Sequence, residues 1–385
     1  MQFDKIINYI CDKLRHANLL LIIHAMIPQI SFSDTQQNKF SIELRKRVDA
    51  YFKQNNIKKT GELKLLPKTI LILLSYFVPY ALILSGWFTF PINLLLYVLF
   101  GIGLAGMGMS IMHDAVHGAY SSNKNVNKLM GLVLNLVGGH AMNWKIQHNY
   151  LHHSFTNIEG FDEDIKSRGL FRFHSDSKRL FFHRFQHIYF IIFYGLLTIT
   201  WPITDLQQLL RYNKHNLVKK HDSNLTKEIF ILILSKVVFV LYLFLIPYWV
   251  LSVPFWHILL GFVVMQFVGG LILAVIFQLA HIQNETGFPK PDTNNTVHAD
   301  WAVHQLITTA DFAPNNKLLF WYSGGLNFQV EHHLFPKISH IHYPAIAKIV
   351  QQTAQEFNVP YNQHKTFFKA LASHIMYLYK MGKTN

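Results

Sequence analysis

The chain has 385 residues, of which 51% are hydrophobic, 15% aromatic and only 15% charged. Those proportions exclude disorder and coiled coil as overall classes, and the single cysteine, Cys11, excludes a disulfide scaffold, a Cys-ligated iron–sulfur cluster, a Cys zinc site and c-type haem attachment. A net charge of +14 would suit nucleic acid or an anionic membrane surface, and the placement of the apolar residues decides between them.

In chain order, Met1–Leu14 has an amphipathic pattern that predicts a surface segment, and no cleavable signal peptide precedes the first long apolar run. Four stretches reach the roughly 20 apolar residues that a helix needs to cross a hydrocarbon core of about 30 Å. They are 69–88, 91–112, 229–250 and 258–280, and Lys236 is the only Lys or Arg within them, predicted to snorkel or to face protein. The links 89–90 and 251–257 also lack Lys and Arg and read as tight turns of two helical hairpins. Every other basic residue lies in 1–68, 113–228 or 281–385, which the positive-inside rule places on the cytoplasmic side. Nucleic-acid binding falls, because the basic residues follow topology and no reading motif accompanies them.

Stretch 129–137 is too short to span. Stretch 188–201 is free of charge and nearly long enough, but a crossing there would put the motifs described below on opposite sides of the bilayer. It is predicted to be an interfacial or re-entrant helix. The fold expected is an all-α integral membrane protein: four transmembrane helices in two hairpins under a cytoplasmic helical cap built from 113–228 and 281–385. The division expected is an N-terminal segment 1–68, a membrane body 69–344 and a helical tail 345–385.

Histidine is over-used, with 23 residues against 21 Asp plus Glu, and eight of the histidines sit at membrane exits. His113 and His117 follow the second span, four residues apart, so a continuing helix presents both imidazoles on one face. His148, His152 and His153 repeat the spacing with a third imidazole beside it, His281 follows the fourth span, and His332–His333 close the run Gln329-Val-Glu-His-His. Neutral imidazole is the commonest protein ligand for first-row transition metals, and one pair alone would be weak. Three groups on one side of the membrane point to a metal site, and eight imidazoles exceed what one zinc ion takes, so two metals sharing them is the economical reading. A membrane cytochrome b is disfavoured, since no span has a histidine near its middle. The same observation disfavours a metal transporter, whose ligands lie near the midplane.

The segments HDAVHG, HNYLHHSFTNIEGFDEDI and QVEHHLFP resemble, in order and spacing, the three histidine boxes of the membrane fatty-acid desaturase family. The third is the variant with Gln in place of the first histidine, as in front-end and many bacterial acyl-CoA desaturases. The resemblance runs from about Pro67 to Pro344 and implies a non-haem di-iron centre held by His113, His117, His148, His152, His153, His281, His332 and His333. Gln329, at the position of a ligand histidine, is a weaker ligand or holds a water. Asp114, Asp162, Asp164 and Glu331 would orient the imidazoles from behind, whereas Glu163 reads as a hydrated surface acid. Trp144, Asn157, Trp301 and His304 match family positions that shape the pocket or contact substrate. The basic run Lys166, Arg168, Arg172, Lys178, Arg179 and Arg184 reads as a membrane anchor, with Arg168 and Arg172 assigned to substrate phosphates.

The reaction implied is O2-dependent insertion of a cis double bond into an acyl chain carried by coenzyme A or a lipid. No side-chain acid, base or nucleophile attacks an unactivated C–H bond, so the iron would do that step. A hydroxylase shares the boxes and stays open as an alternative. No His-Pro-Gly-Gly haem motif is present, so electrons are expected from a separate ferredoxin, cytochrome or reductase. The Asn- and Lys-rich composition favours a bacterial inner membrane over the endoplasmic reticulum.

Overall fold

The computed structural model describes residues 30–33, 38–166 and 169–384. The amphipathic segment expected over Met1–Leu14 and the substrate role expected of Arg168 fall outside the described residues. The protein is mostly helical, with two parallel pairs of two-residue strands: Ser31–Phe32 beside Thr296–Val297, and Asp311–Phe312 beside Gln363–His364.

Helix α1 (Asn38–Gln54) precedes the first apolar helix, α2 (Leu66–Leu84). A proline in its first turn, where no N–H is needed, starts α2. It ends four residues before the sequence pattern does, because Gly86 turns the chain at φ +69°. The second apolar helix, α3 (Phe90–His117), runs beyond the apolar stretch to include the first histidine pair, and Gly118 stops it in the left-handed conformation at φ 78°. Box two lies on α4 (Lys145–His152), a π-helical turn that His153–Phe155 completes.

The charge-free stretch around 188–201 is divided between α5 (Phe181–Gly195) and α6 (Leu197–Lys214), bent by 70°. The bend has a packing cause. A Cβ on Gly195 would lie 2.3 Å from the Phe267 ring, and one on Gly270 would lie 2.7 Å from the Gly195 carbonyl oxygen, so both glycines permit the break to press on the fourth long helix.

That helix is α8 (Phe255–His281), which follows α7 (Leu225–Val250). Its 27 residues span about 40 Å and carry His281 out past the apolar core. It is followed by α9 (Trp301–Thr308), α10 (Gln329–Leu334), α11 (Tyr343–Glu356) and α12 (Phe367–Lys383).

Helices α2, α3, α7 and α8 are each long and apolar enough to cross a membrane. Among them α3 is central: 72% of its apolar window is buried inside the protein, against 33%, 22% and 39% for α2, α7 and α8. Small residues let it sit there. A Cβ on Gly103 would meet the Ser75 carbonyl of α2 at 2.7 Å, and one on Gly101 would meet the Met265 carbonyl of α8 at 2.4 Å. The outer faces carry exposed Leu74, Phe77, Leu95, Leu99, Leu234 and Leu259, an apolar surface that suits lipid.

Lys236 of α7 faces protein. Its ammonium donates to Asp205 Oδ2 of α6 and to the Gly138 carbonyl, both at 2.5 Å, while Asp205 also accepts from Asn143 at 3.2 Å. The N-terminal α1 and the tail helix α11 share one core beside box three, where Phe40, Leu44 and Val48 pack with Leu306, Val330, Ile346 and Val350.

Candidate metal centre

All eight box histidines converge although they come from four separate elements, and none is more than 7% exposed. Two π-helical turns, Met107–Met112 leading into His113 and Lys145–His152 itself, re-aim the imidazoles as single α-helical turns would not. His281 arrives on the last residue of α8 and His332–His333 on the short α10.

The ring nitrogens form two groups with no member in common, bridged by a third of His153, His332 and His333. Those of His113, His117, His148 and His332 lie within 4.8 Å of one another, as do those of His152, His281 and His333. His153 stands between them, its ring centroid 4.6 Å from that of His332 and 4.3 Å from that of His333.

Behind the rings, most Nδ1 atoms have a partner. His148 Nδ1 lies 2.8 Å from Asp164 and His152 Nδ1 lies 3.0 Å from Asp162. His333 Nδ1 lies 2.8 Å from Gln305 Oε1, His332 Nδ1 3.2 Å from the Tyr343 hydroxyl, and His281 Nδ1 3.4 Å from the Thr308 carbonyl. A ring that donates its Nδ1–H directs the lone pair of Nε2 inward. The inward Nε2 atoms of His117, His152, His281, His332 and His333 are buried and have no hydrogen-bond partner among the described residues, and within the first group His113 Nε2 lies 3.1 Å from His148 Nε2. Burial, reinforced by neighbouring imidazoles, holds His152, His153, His332 and His333 well below the ordinary histidine pKa, so these rings are neutral lone-pair donors at pH 7. Unpaired inward nitrogens on neutral rings in two groups fit a pair of metal ions. Gln329 Oε1 is likewise buried without a partner among the described residues.

The four carboxylates separate by role. Asp162 and Asp164 back the imidazoles of His152 and His148, and Asp162 also accepts from the Asn157 and Asp164 amides at 2.9 Å. Asp114 backs none of the box histidines. Its Oδ2 accepts from Ser339 at 2.9 Å and pairs with His340 at 2.8 Å, tying α3 to the segment after box three. Glu331 faces Tyr361 at 3.0 Å, and Tyr361 donates to Asp311 at 2.5 Å. Burial pushes the Asp311 carboxyl up to about 6. Glu163 pairs with Arg211 at 2.6 Å.

Of the residues expected near substrate, Trp144 fits best: its ring lies 5.0 Å from that of His148, and its indole nitrogen is buried without a partner among the described residues. Asn157 is instead a backbone hub at φ 58°, donating to the His281 and Gly287 carbonyls at 2.9 and 3.1 Å. Trp301 donates to the His153 carbonyl at 3.3 Å, and His304 is buried edge-on to Phe32 at 5.0 Å. Arg172 is 2% exposed, and its guanidinium is spent on the carbonyls of Ser175, Ser177, Met381 and Thr384. Four carbonyls in that cage leave no room for a phosphate, so Arg172 clamps the end of α12 and the substrate assignment is corrected.

Residues 50–365 match the family model described as fatty acid desaturase. The chain belongs to the fatty acid desaturase family. Over 357 residues it is 36% identical to the sn-1 linoleoyl-lipid 6-desaturase of Synechocystis sp., covering 91% of this chain and 98% of that one. It is 36% identical to the protein of the same name from Arthrospira platensis, covering 89% and 92%. Against the acyl-lipid (8-3)-desaturase of Physcomitrium patens it is 35% identical, covering 92% and 74%. This desaturase therefore acts on fatty acyl chains. Gln305, which the family resemblance marks as a pocket position, and Tyr343 meet the His333 and His332 rings; Tyr361, Asp311 and His340 stand one contact further out, on Glu331 and Asp114. Sequence spacing singled out neither Tyr343 nor this outer set, because each reaches the site only through tertiary folding.

Proposed function

We propose that this desaturase uses O2 to insert a cis double bond into an acyl chain of a membrane lipid, with two iron ions held by the eight histidines. The observation that carries the reading is the set of buried, partnerless inward nitrogens in two groups. His113, His117, His148 and His332 would hold one ion and His152, His281 and His333 the other, with His153 within reach of either group and Gln329 a weaker candidate. Iron bound there supplies the oxidation of an unactivated methylene, with electrons from a separate ferredoxin, cytochrome or reductase.

The chain's own residues supply the rest. Asp162, Asp164, Gln305 and Tyr343 fix ring orientation and tautomer. Trp144 and Phe277 flank His148 with apolar surface, which keeps water from the reacting carbons. The lipid-linked names of the relatives from Synechocystis and Physcomitrium support a lipid rather than a coenzyme A carrier.

For the membrane arrangement we infer two hairpins, α2–α3 and α7–α8, whose far ends both carry ligands, under a cap that includes α4, α9 and α10. The spread of basic residues supports a cytoplasmic cap on a bacterial inner membrane, with the body at 69–344 between the N-terminal segment and the 345–385 tail.

The test compares the lipids of a host expressing the chain with those of its His332→Ala variant, double bonds being located by mass spectrometry and iron measured per chain. A new unsaturated acyl chain is expected from the wild type alone, with two irons bound. Hydroxylated chains in its place would assign the site to the other reaction of these boxes, and a folded wild type without iron would remove the metal assignment.

A further inference from the structure

Gln266 lies within α8, fully buried, and neither its side-chain oxygen nor its nitrogen has a hydrogen-bond partner among the described residues. The Gln266 carbonyl on the main chain accepts from the Thr198 hydroxyl at 3.0 Å, so the backbone is served and the amide is not. An unpaired amide away from water is costly, more so inside a hydrocarbon layer, and it persists where a ligand or a bound water meets it.

Its position says which. Gln266 precedes Phe277 by three helical turns, so the two share a face and lie about 16 Å apart along the axis. Leu273 lies between them on that face. The Phe277 ring packs on His148, His152 and His281 at 6.0, 5.0 and 4.9 Å. A second apolar strip leads the same way: Trp144 beside His148, then Trp201 at 6.3 Å from Trp144, one turn from Thr198. Trp144, Trp201, Leu273, Phe239 and Met265 belong to one apolar cluster. An acyl tail reaches about one leaflet, roughly half of a 30 Å core. A tail with its reacting carbons at the imidazoles and about a dozen methylenes beyond them would therefore reach the depth of Gln266.

We propose that Gln266 is a specificity-determining residue whose amide holds a water at the closed end of the acyl path and so sets the longest tail accepted. The inference rests on the acyl-lipid desaturase reading. A tail that fits stops short of the amide. One that is too long displaces the water and leaves the amide facing methylenes.

The experiment supplies membranes containing the full chain with acyl chains lengthened one methylene at a time, and with the same chains ending in a hydroxyl. Wild type is expected to show a sharp length limit and to tolerate a terminal hydroxyl at that limit, because the amide can hydrogen-bond it. Gln266→Leu should accept longer tails, the ratio of long-tail to ordinary product rising roughly tenfold, or about 1.4 kcal/mol. It should reject the hydroxyl, while the double bond keeps its distance from the carboxyl end. An active variant with an unchanged ratio overturns the proposal. If the variant does not fold, rejection of the hydroxyl-ended tail by wild type overturns it equally. A wild type that desaturates nothing removes the acyl-desaturase reading on which the proposal rests.

Discussion

Asp164 and Glu163 are neighbours in sequence with unlike work, and the contrast makes the centre testable. Asp164 accepts from His148 Nδ1 at 2.8 Å and from Gln147 at 2.6 Å, so its charge raises the basicity of the His148 ring and fixes which nitrogen points inward. Glu163 faces the other way, to Arg211. Asp164→Asn is expected to weaken metal retention by about 10- to 100-fold, the usual effect of losing such an outer partner. Glu163→Gln should leave it unchanged. Metal content after dialysis against a graded chelator separates the two, and equal losses would mean that the carboxylates act only through net charge.

Among the helices, the largely buried Lys236–Asp205 pair ties α7 to α6 and to the Gly138 turn ahead of box two. Removing one partner leaves a charge without its counter-ion, which typically costs about 3–5 kcal/mol, whereas replacing both by apolar residues is often neutral. Lys236→Met is therefore expected to lower the thermal midpoint sharply, and Lys236→Met with Asp205→Leu to recover most of the loss. A double variant no better than the single one would assign the defect to the Gly138 and Asn143 contacts instead. The sequence announced the lysine as an exception in an apolar run but could not name Asp205, which is 31 residues away. The same division holds across the protein. Apolar runs of span length and i, i+4 histidines are local patterns, so the long helices and all eight imidazoles were readable. Arg172 inside its cage of carbonyls, Asp114 on His340 and the break at Gly195 depend on what folding brings beside them. No spacing rule carries that information.

At the scale of the whole molecule, the concentration of buried neutral imidazoles predicts how the desaturase responds to acid. His374 shows why without involving the metal centre. Its Nδ1–H donates to the Ile282 carbonyl at 2.7 Å and its Nε2 lies 3.0 Å from the Tyr194 hydroxyl, so the neutral ring is fully hydrogen-bonded, and burial opposes the charge a second proton would bring. Burial drops its pKa to about 4, and burial does the same for His304. In the unfolded chain these rings titrate near 6.5. Between about pH 6.5 and 4 the unfolded state therefore binds more protons than the folded one, and stability falls as pH falls through that window. Above it the contribution is fully present. Each group is worth of order 3 kcal/mol by the time the window is crossed. The metal-free protein should thus lose thermal midpoint steeply from pH 6.5 downward. His374→Gln, which can still donate to Ile282 and accept from Tyr194 but cannot titrate, should flatten part of that slope without changing the midpoint at pH 8. A slope that survived the substitution intact would move the acid sensitivity to other groups.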